Sequence, residues 1–444
     1  MARVLLLMTR PLAGAGGRGL VLRTIVDSLA AAGHDVVCAV VGGPDPAVPV
    51  DRSVATHRLP DVRWWEVAGP GARRRGLRSW NERLYWSPRV ARVVRELVTA
   101  EGIDAVVADG VRLAPHAQDS GRPWFVDLDD LLSDRYELWR SRALDLHQLL
   151  GHRRPAWAPA AGVLRRVPVA RVLATEARRL RVREDDLART ADGTSLVSPT
   201  EAARLAARCG APVRALPMAV TAAVRRDWTA GAGLDRRLAF PGALTAYANE
   251  EAVRWWIEEL EPALRAHGLH GWQLHVFGAV PDAVKARVQA PSVVLRGSFD
   301  RERLHDELVQ HSFLLAPQRE ALGLTVKVVE AAVLGLVPLT TPQGASGLDV
   351  EHGRQVLLFS DGHELARVLA TLEGWAADGG ARTAELADRA HAWARDGFAP
   401  EVLTRRWAAV VDDLVPEGRT ARTARTARTA PAGPAGNHGE GSRR

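Results

Sequence analysis

The sequence predicts an α/β protein of two tandem Rossmann-like domains, each a parallel sheet flanked by helices, with a deep cleft between them. Three observations carry that expectation. Strand-length apolar runs alternate with helix-length amphipathic stretches, the pattern of βαβ units. The alternation starts twice, at Arg3 and again near Leu238. The 444 residues also exceed what one hydrophobic core usually organises.

The first series opens with the strand Arg3–Met8 and a glycine-rich loop, GAGGRG, from Gly14 to Gly19. Leu20, Val21, Thr24, Ile25, Ser28 and Leu29 then recur with helical spacing until Gly33. Asp35–Val41, Ile103–Ala108 and Trp124–Val126 read as further buried strands. Arg135–Arg183 reads as helical and basic, and TSLVSPTEAARL (194–205) as a strand, a serine-proline cap and a helix. A hinge is expected near residues 215–235. The second series begins with LAFPGAL (238–244) and a helix over Glu250–Leu264. WQLHVFG (272–278), SVVLRGS (292–298), SFLLAPQ (312–318) and VPLTT (337–341) are its other strands. A helix from about Thr325 to Leu334 lies between the last two. Two closing helices are expected, one ending near Trp393 and one over Pro400–Leu414. The expected division is a first domain over 1–215, a second over 216–398, a helix over 399–415 that crosses back onto the first, and a disordered tail over 416–444.

Composition narrows the function classes. The net charge is +7, but residues 416–444, with the repeat RTARTARTARTA, hold six arginines against two glutamates. The folded part is therefore close to neutral, and a nucleic-acid binder would concentrate its charge there. The tail cannot bury apolar surface and reads as an expanded low-complexity repeat. Cys38 and Cys209 stand too far apart in sequence for a metal-type spacing or a disulfide framework. No apolar run approaches the roughly 20 residues of a membrane span, and Val4–Met8 is too short for a signal sequence. The expected location is cytoplasmic, with a possible peripheral position at the inner membrane face. That extension rests on two arginine-rich stretches, residues 71–100 and 152–183. Trp80, Trp86 and Trp157 lie among or beside them, and Val90, Val94 and Leu97 form an apolar stripe beside Arg89, Arg92 and Arg95. A solvated basic face is the alternative.

Three segments hold residues with chemical potential. Gly14, Gly16 and Gly19 match G-x-G-x-x-G, yet TRPLA separates the loop from its strand, and the second strand ends without a clear acidic residue. A dehydrogenase is therefore disfavoured, and Gly16, Gly17 and Gly19 read as a loop that lets backbone approach a ligand. In GLTVKVVEAA (323–332), Thr325 is a candidate N-cap and Lys327, one of two lysines in the chain, sits in the first helical turn. Unpaired N–H groups and the positive end of the helix dipole make that turn an anion site. Glu330 shares the face of Lys327. A plain i, i+3 ion pair is the alternative, but the helix has almost no other polar face, and a buried pair is costly unless it meets a ligand. Third, VDLDDLLSDRY (126–136) places Asp127, Asp129 and Asp130 at a strand end. They could cap the next helix, or hold a metal as a D-x-D motif, or Asp129 could orient an acceptor hydroxyl. A metal is not expected.

Residues 323–358, GLTVKVVEAAVLGLVPLTTPQGASGLDVEHGRQVLL, resemble the donor-site signature of family 4 glycosyltransferases of the GT-B fold. Within it they are similar to a subgroup with the pattern G-x-x-x-K-x-x-E-A. FPGALTAYANEEAVRWWIEELEPALR (240–265), VDLDDLLSDRY and LVSPTEAARL resemble other landmarks of that subgroup. The resemblance implies a nucleoside diphosphate sugar as co-substrate, an acceptor of unknown identity, retention of configuration, and no cofactor or metal. It implies that Glu330 binds the ribose hydroxyls and that Lys327 and the helix N-terminus hold the diphosphate. Gly323, Leu324 and Thr325 would present backbone to the sugar, and Gly242 would approach the nucleotide. Two positions depart from the pattern. Leu322 stands where a further glutamate is frequent, with Glu320 nearby, and Ser346 replaces glutamate in GASGL. A non-catalytic nucleotide-binding scaffold and a nucleotide-sugar epimerase are the rival functions.

Overall fold

The computed structural model describes residues 1–12, 17–41, 54–71, 75–77, 79–141, 169–228, 235–320, 323–376 and 379–416. Most of the basic stretch over 152–183, with Trp157, and nearly all of the repeat tail lie outside them.

Two all-parallel sheets form the two halves. The first has seven strands in the order β3-β2-β1-β4-β5-β6-β7. These are β1 Arg3–Met8, β2 Asp35–Val41, β3 Ala55–Leu59, β4 Ala105–Asp109, β5 Trp124–Asp127, β6 Gly193–Leu196 and β7 Arg214–Ala215. The second has six, in the order β10-β9-β8-β11-β12-β13. Its members are β8 Arg237–Pro241, β9 Gln273–Phe277, β10 Val293–Gly297, β11 Phe313–Ala316, β12 Val337–Thr340 and β13 Leu357–Leu358. Central strands are continuous apolar runs because helices cover both faces; Val4–Met8 of β1 are buried throughout. The edge strand β3, ATHRL, buries only Leu59 and lacks that signal.

In each sheet the winding reverses between the first strand and its neighbour, between β1 and β4 and between β8 and β11. Ligands of open α/β sheets bind beyond the carboxyl ends of the strands at such switch points. The segments that follow β1, β5 and β6 face the segment that follows β11 across the cleft. A side chain at Gly17 would come within 4.0 Å of Val326 Cγ2, and one at Gly323 within 3.8 Å of Asp130 Cβ.

The helix Pro400–Leu414 returns to the first half. Its Trp407, Val410, Val411 and Leu414 join Leu22, Ile25, Val26 and Leu29 of the helix Gly17–Ala31 in one buried cluster. Trp407 packs edge-on against Phe125 of β5, ring centroids 5.6 Å apart. The linking segment is tied down as well: Ala219 N–H donates to Thr24 Oγ1 at 2.9 Å and Val220 N–H to the Phe398 carbonyl at 3.0 Å.

Three expectations need correction. The helix after β8 is not one α-helix: a π-helical turn over Trp256–Leu260 joins Tyr247–Trp255 to Glu261–Ala266. The turn buries both Trp256 and Leu260. Among the described residues three helices, not two, follow β13, namely Gly362–Trp375, Ala381–Phe398 and Pro400–Leu414. Lastly, Val90 and Val94 are not a free apolar stripe. They lie on the helix Pro88–Ala100, fully buried in the core of the first half, with Leu97 packed beside them. The helix turns its arginines outward and its valines to the sheet, so the stripe is used up by folding. No described helix is long and apolar enough to cross a membrane.

Candidate functional site

β8 ends at Pro241, and Gly242 opens the turn to the helix Tyr247–Trp255. A side chain at Gly242 would come within 2.8 Å of Asn249 Nδ2 and 3.0 Å of Lys327 Nζ. Glycine is what lets those two side chains meet over the strand end. The Asn249 amide donates to the Ala243 carbonyl at 2.8 Å, which fixes its oxygen toward the lysine. Lys327 Nζ donates to Asn249 Oδ1 at 2.7 Å and sits 4.0 Å from the centre of the Phe240 ring. A neutral amide and an aromatic face orient the ammonium without cancelling its charge. Burial pulls the Lys327 pKa down to about 7, against the opposing pull of Glu330.

Lys327 lies in the first turn of the helix Val326–Val333. Thr325 occupies the N-cap position, but its hydroxyl makes no capping bond, contrary to the role predicted for it. Glu330, one turn on, is partly buried and lies 3.3 Å from His305 Nε2. His305 is buried on the helix Arg301–Leu308. Gly323 precedes the helix with φ +71°, a left-handed conformation that favours glycine. Its N–H donates across the cleft to Glu201 Oε1 at 3.3 Å. Burial, reinforced by Asp130, pushes the Glu201 carboxyl up to about 7, and its other oxygen makes no hydrogen bond. Leu324 and Thr325 are half-buried at this junction.

Opposite, Arg18 is the hub of the first half's cleft face. It leaves the glycine-rich segment between Gly17 and Gly19, with Gly19 buried against the sheet. Its guanidinium donates to Asp109 Oδ1 at 2.7 Å and to Asp127 Oδ2 at 2.7 Å, and lies 3.3 Å from Asp129. Thr9 donates to Asp109 through its N–H and its hydroxyl. Ser195 Oγ donates to Asp127 at 2.8 Å. The Asp109 carboxyl is lowered because Arg18 and the Thr9 bonds outweigh the opposing effect of burial. Asp127 is thus engaged by Arg18 and Ser195. Asp129, at φ +68°, stays partly exposed. Such a conformation is uncommon for a non-glycine residue and holds its carboxylate toward the cleft. Asp130 is buried and paired with Arg135. No three His, Cys, Asp or Glu side chains among the described residues cluster as metal ligands.

The structure therefore brings Lys327, Glu330, Gly242, Gly323, Leu324 and Thr325 together on one side of the cleft, and Asp129, Gly17 and Gly19 on the other. Gly16 and Leu322 lie outside the described residues. Asn249, His305, Arg18 and Glu201 are additions. Asn249 is in the quoted ANEEAV stretch, but nothing local marks it as a partner of a residue 78 positions away.

Residues 235–373 match the family model described as glycosyl transferases group 1. That stretch contains Gly242, Asn249, His305, Lys327 and Glu330. No curated protein matches the chain. Among solved structures, a sucrose-phosphate synthase from Thermosynechococcus elongatus superposes with a TM-score of 0.64 at 15% identity, covering 96% of this chain and all of that one. HepE from Anabaena, in complex with UDP and glucose, does so at 0.61 and 14%, covering 93% of this chain and 100% of its own. TarM reaches 0.60 at 6%, covering 92% of this chain and 98% of its own. The two parallel-sheet halves thus form the GT-B arrangement.

Proposed function

We propose that this protein transfers a sugar from a nucleoside diphosphate sugar to a hydroxyl of an acceptor, with retention and without a metal. The observation that carries the proposal is the Lys327–Asn249 pair, held over Gly242 at a switch point of the second sheet. An oriented ammonium and the N–H groups of the helix Val326–Val333 converge where a departing diphosphate would gather charge. Groups placed in advance stabilise such charge without reorganisation. Glu330, set by His305, suits the two hydroxyls of a ribose. Gly323, Leu324 and Thr325 would lie along the sugar. Asp129, the exposed carboxylate of the facing cluster, would accept the hydrogen bond of the attacking hydroxyl. That HepE was solved with UDP and glucose makes UDP-sugars the first probes.

The test is consumption of UDP-, GDP-, dTDP- and ADP-sugars by the full chain, with EDTA present and product configuration read by NMR. Lys327→Ala should lower kcat by about 10²–10³-fold. Glu330→Ala should chiefly raise the donor KM. Binding without consumption would favour a non-catalytic scaffold. A changed sugar released without acceptor would favour an epimerase. Wild-type turnover in both variants would sink the site assignment.

A further inference from the structure

We propose that the cleft pocket at the switch point of the first sheet binds an oxyanion, a phosphate or carboxylate, carried by the acceptor. The inference deepens the proposed transfer reaction and rests on it for the word acceptor. The site itself stands on residues the donor does not touch.

β1 ends at Met8 and β4 at Asp109, so Arg10 and Arg112 lie just past the carboxyl ends of two adjacent strands. They line a cavity of about 50 Å³ together with Thr9, Arg18, Asp129 and Arg135. That is room for several water-sized groups, the scale of a phosphate. The lining holds four arginines, Arg10, Arg18, Arg112 and Arg135, against three aspartates, Asp109, Asp129 and Asp130. Asp109, Asp127 and Asp129 converge on Arg18, and Asp130 is taken by Arg135. Arg10 and Arg112 are left with no carboxylate in contact among the described residues. Arg112 donates through Nε to Asn81 at 3.1 Å and lies 5.8 Å from the Tyr85 ring centre, which aims it but leaves its charge in place. Arg10 Nε is buried and makes no hydrogen bond. Burial disfavours the Arg10 cation, and neighbouring Arg18 and Arg112 oppose the pull of Asp109.

A partly buried guanidinium whose Nε lacks a partner is costly, and its planar fork matches the oxygens of phosphate and carboxylate. An oxyanion between Arg10 and Arg112 would supply the missing partner. Asp129, on the rim, repels a second anion and accepts from a hydroxyl. The pocket therefore selects a ligand with an oxyanion on one side and a free hydroxyl on the other.

Inorganic phosphate is the probe, titrated calorimetrically at low ionic strength into the full chain carrying Lys327→Ala, which weakens the donor clamp. Saturable one-site binding is expected. Adding Arg10→Gln or Arg112→Gln should weaken it at least about tenfold, and Asp129→Asn should tighten it. Circular dichroism checks that each variant is folded. Glucose 6-phosphate displacing phosphate identifies a soluble acceptor, and displacement by phosphatidylglycerol vesicles a lipid head group; either supports the site. No saturable binding, or equal affinity in both arginine variants, overturns the proposal. Failure to consume any nucleotide sugar would instead count against the transfer reaction and leave the phosphate result standing.

Discussion

Lys327 is placed by neighbours that carry no charge, the Asn249 amide and the Phe240 ring. Gly242 is the sharpest case. A methyl group there meets Asn249 at 2.8 Å and Lys327 at 3.0 Å, so Gly242→Ala has to push the pair apart. Donor affinity should fall about tenfold or more while the melting temperature moves little, because the clash falls on side chains at a strand end. Equal donor affinity in G242A would mean that the pair is not the clamp. In the proposed role the same lysine should make donor binding pH-dependent. Its pKa is lowered to about 7, so the cation is present below that value and is lost as pH rises through it. Donor Kd should therefore increase above about pH 7. Asn249→Asp adds a carboxylate beside the ammonium, raises its pKa and should carry the limb upward. A flat Kd from pH 6 to 9 would refute this. That Lys327 and Glu330 share one helix was legible in the sequence, where they stand out as a charged pair on an otherwise apolar stretch. Asn249 and Glu201 were not, because their partners lie 78 and 122 residues away and only the folded sheets bring them together.

Among the elements, the parallel strands were the most legible. β1 and β2 span the predicted residues because burial on both faces demands unbroken apolar runs. β3 escaped notice because its edge position permits ATHRL, a pattern with no clear period. The π-turn was invisible for a different reason, since WWIEEL satisfies either helical pitch locally and only packing decides. The element on which the architecture leans most is Pro400–Leu414. Trp407 is about 1% exposed and packs on Phe125 of β5 in the first sheet. Trp407→Ala should cost roughly 3–5 kcal/mol in denaturant unfolding, as large aromatic truncations in cores do. A loss below about 1 kcal/mol would show that this helix is only loosely docked.

At the scale of the molecule, the two halves meet through a carboxyl group that resists ionisation. Burial, reinforced by Asp130 of the same half, lifts Glu201 to about 7, and the Gly323 N–H donated across the cleft opposes that rise. The return of the last helix to the first sheet also has a consequence for biogenesis. Leu22, Ile25 and Leu29 cannot find Trp407 and Val411 until nearly the whole chain has left the ribosome. At about 5–20 residues per second that interval is on the order of 20–80 s. Throughout it the nascent amino-terminal half carries a bare greasy flank, a ready target for a holding chaperone.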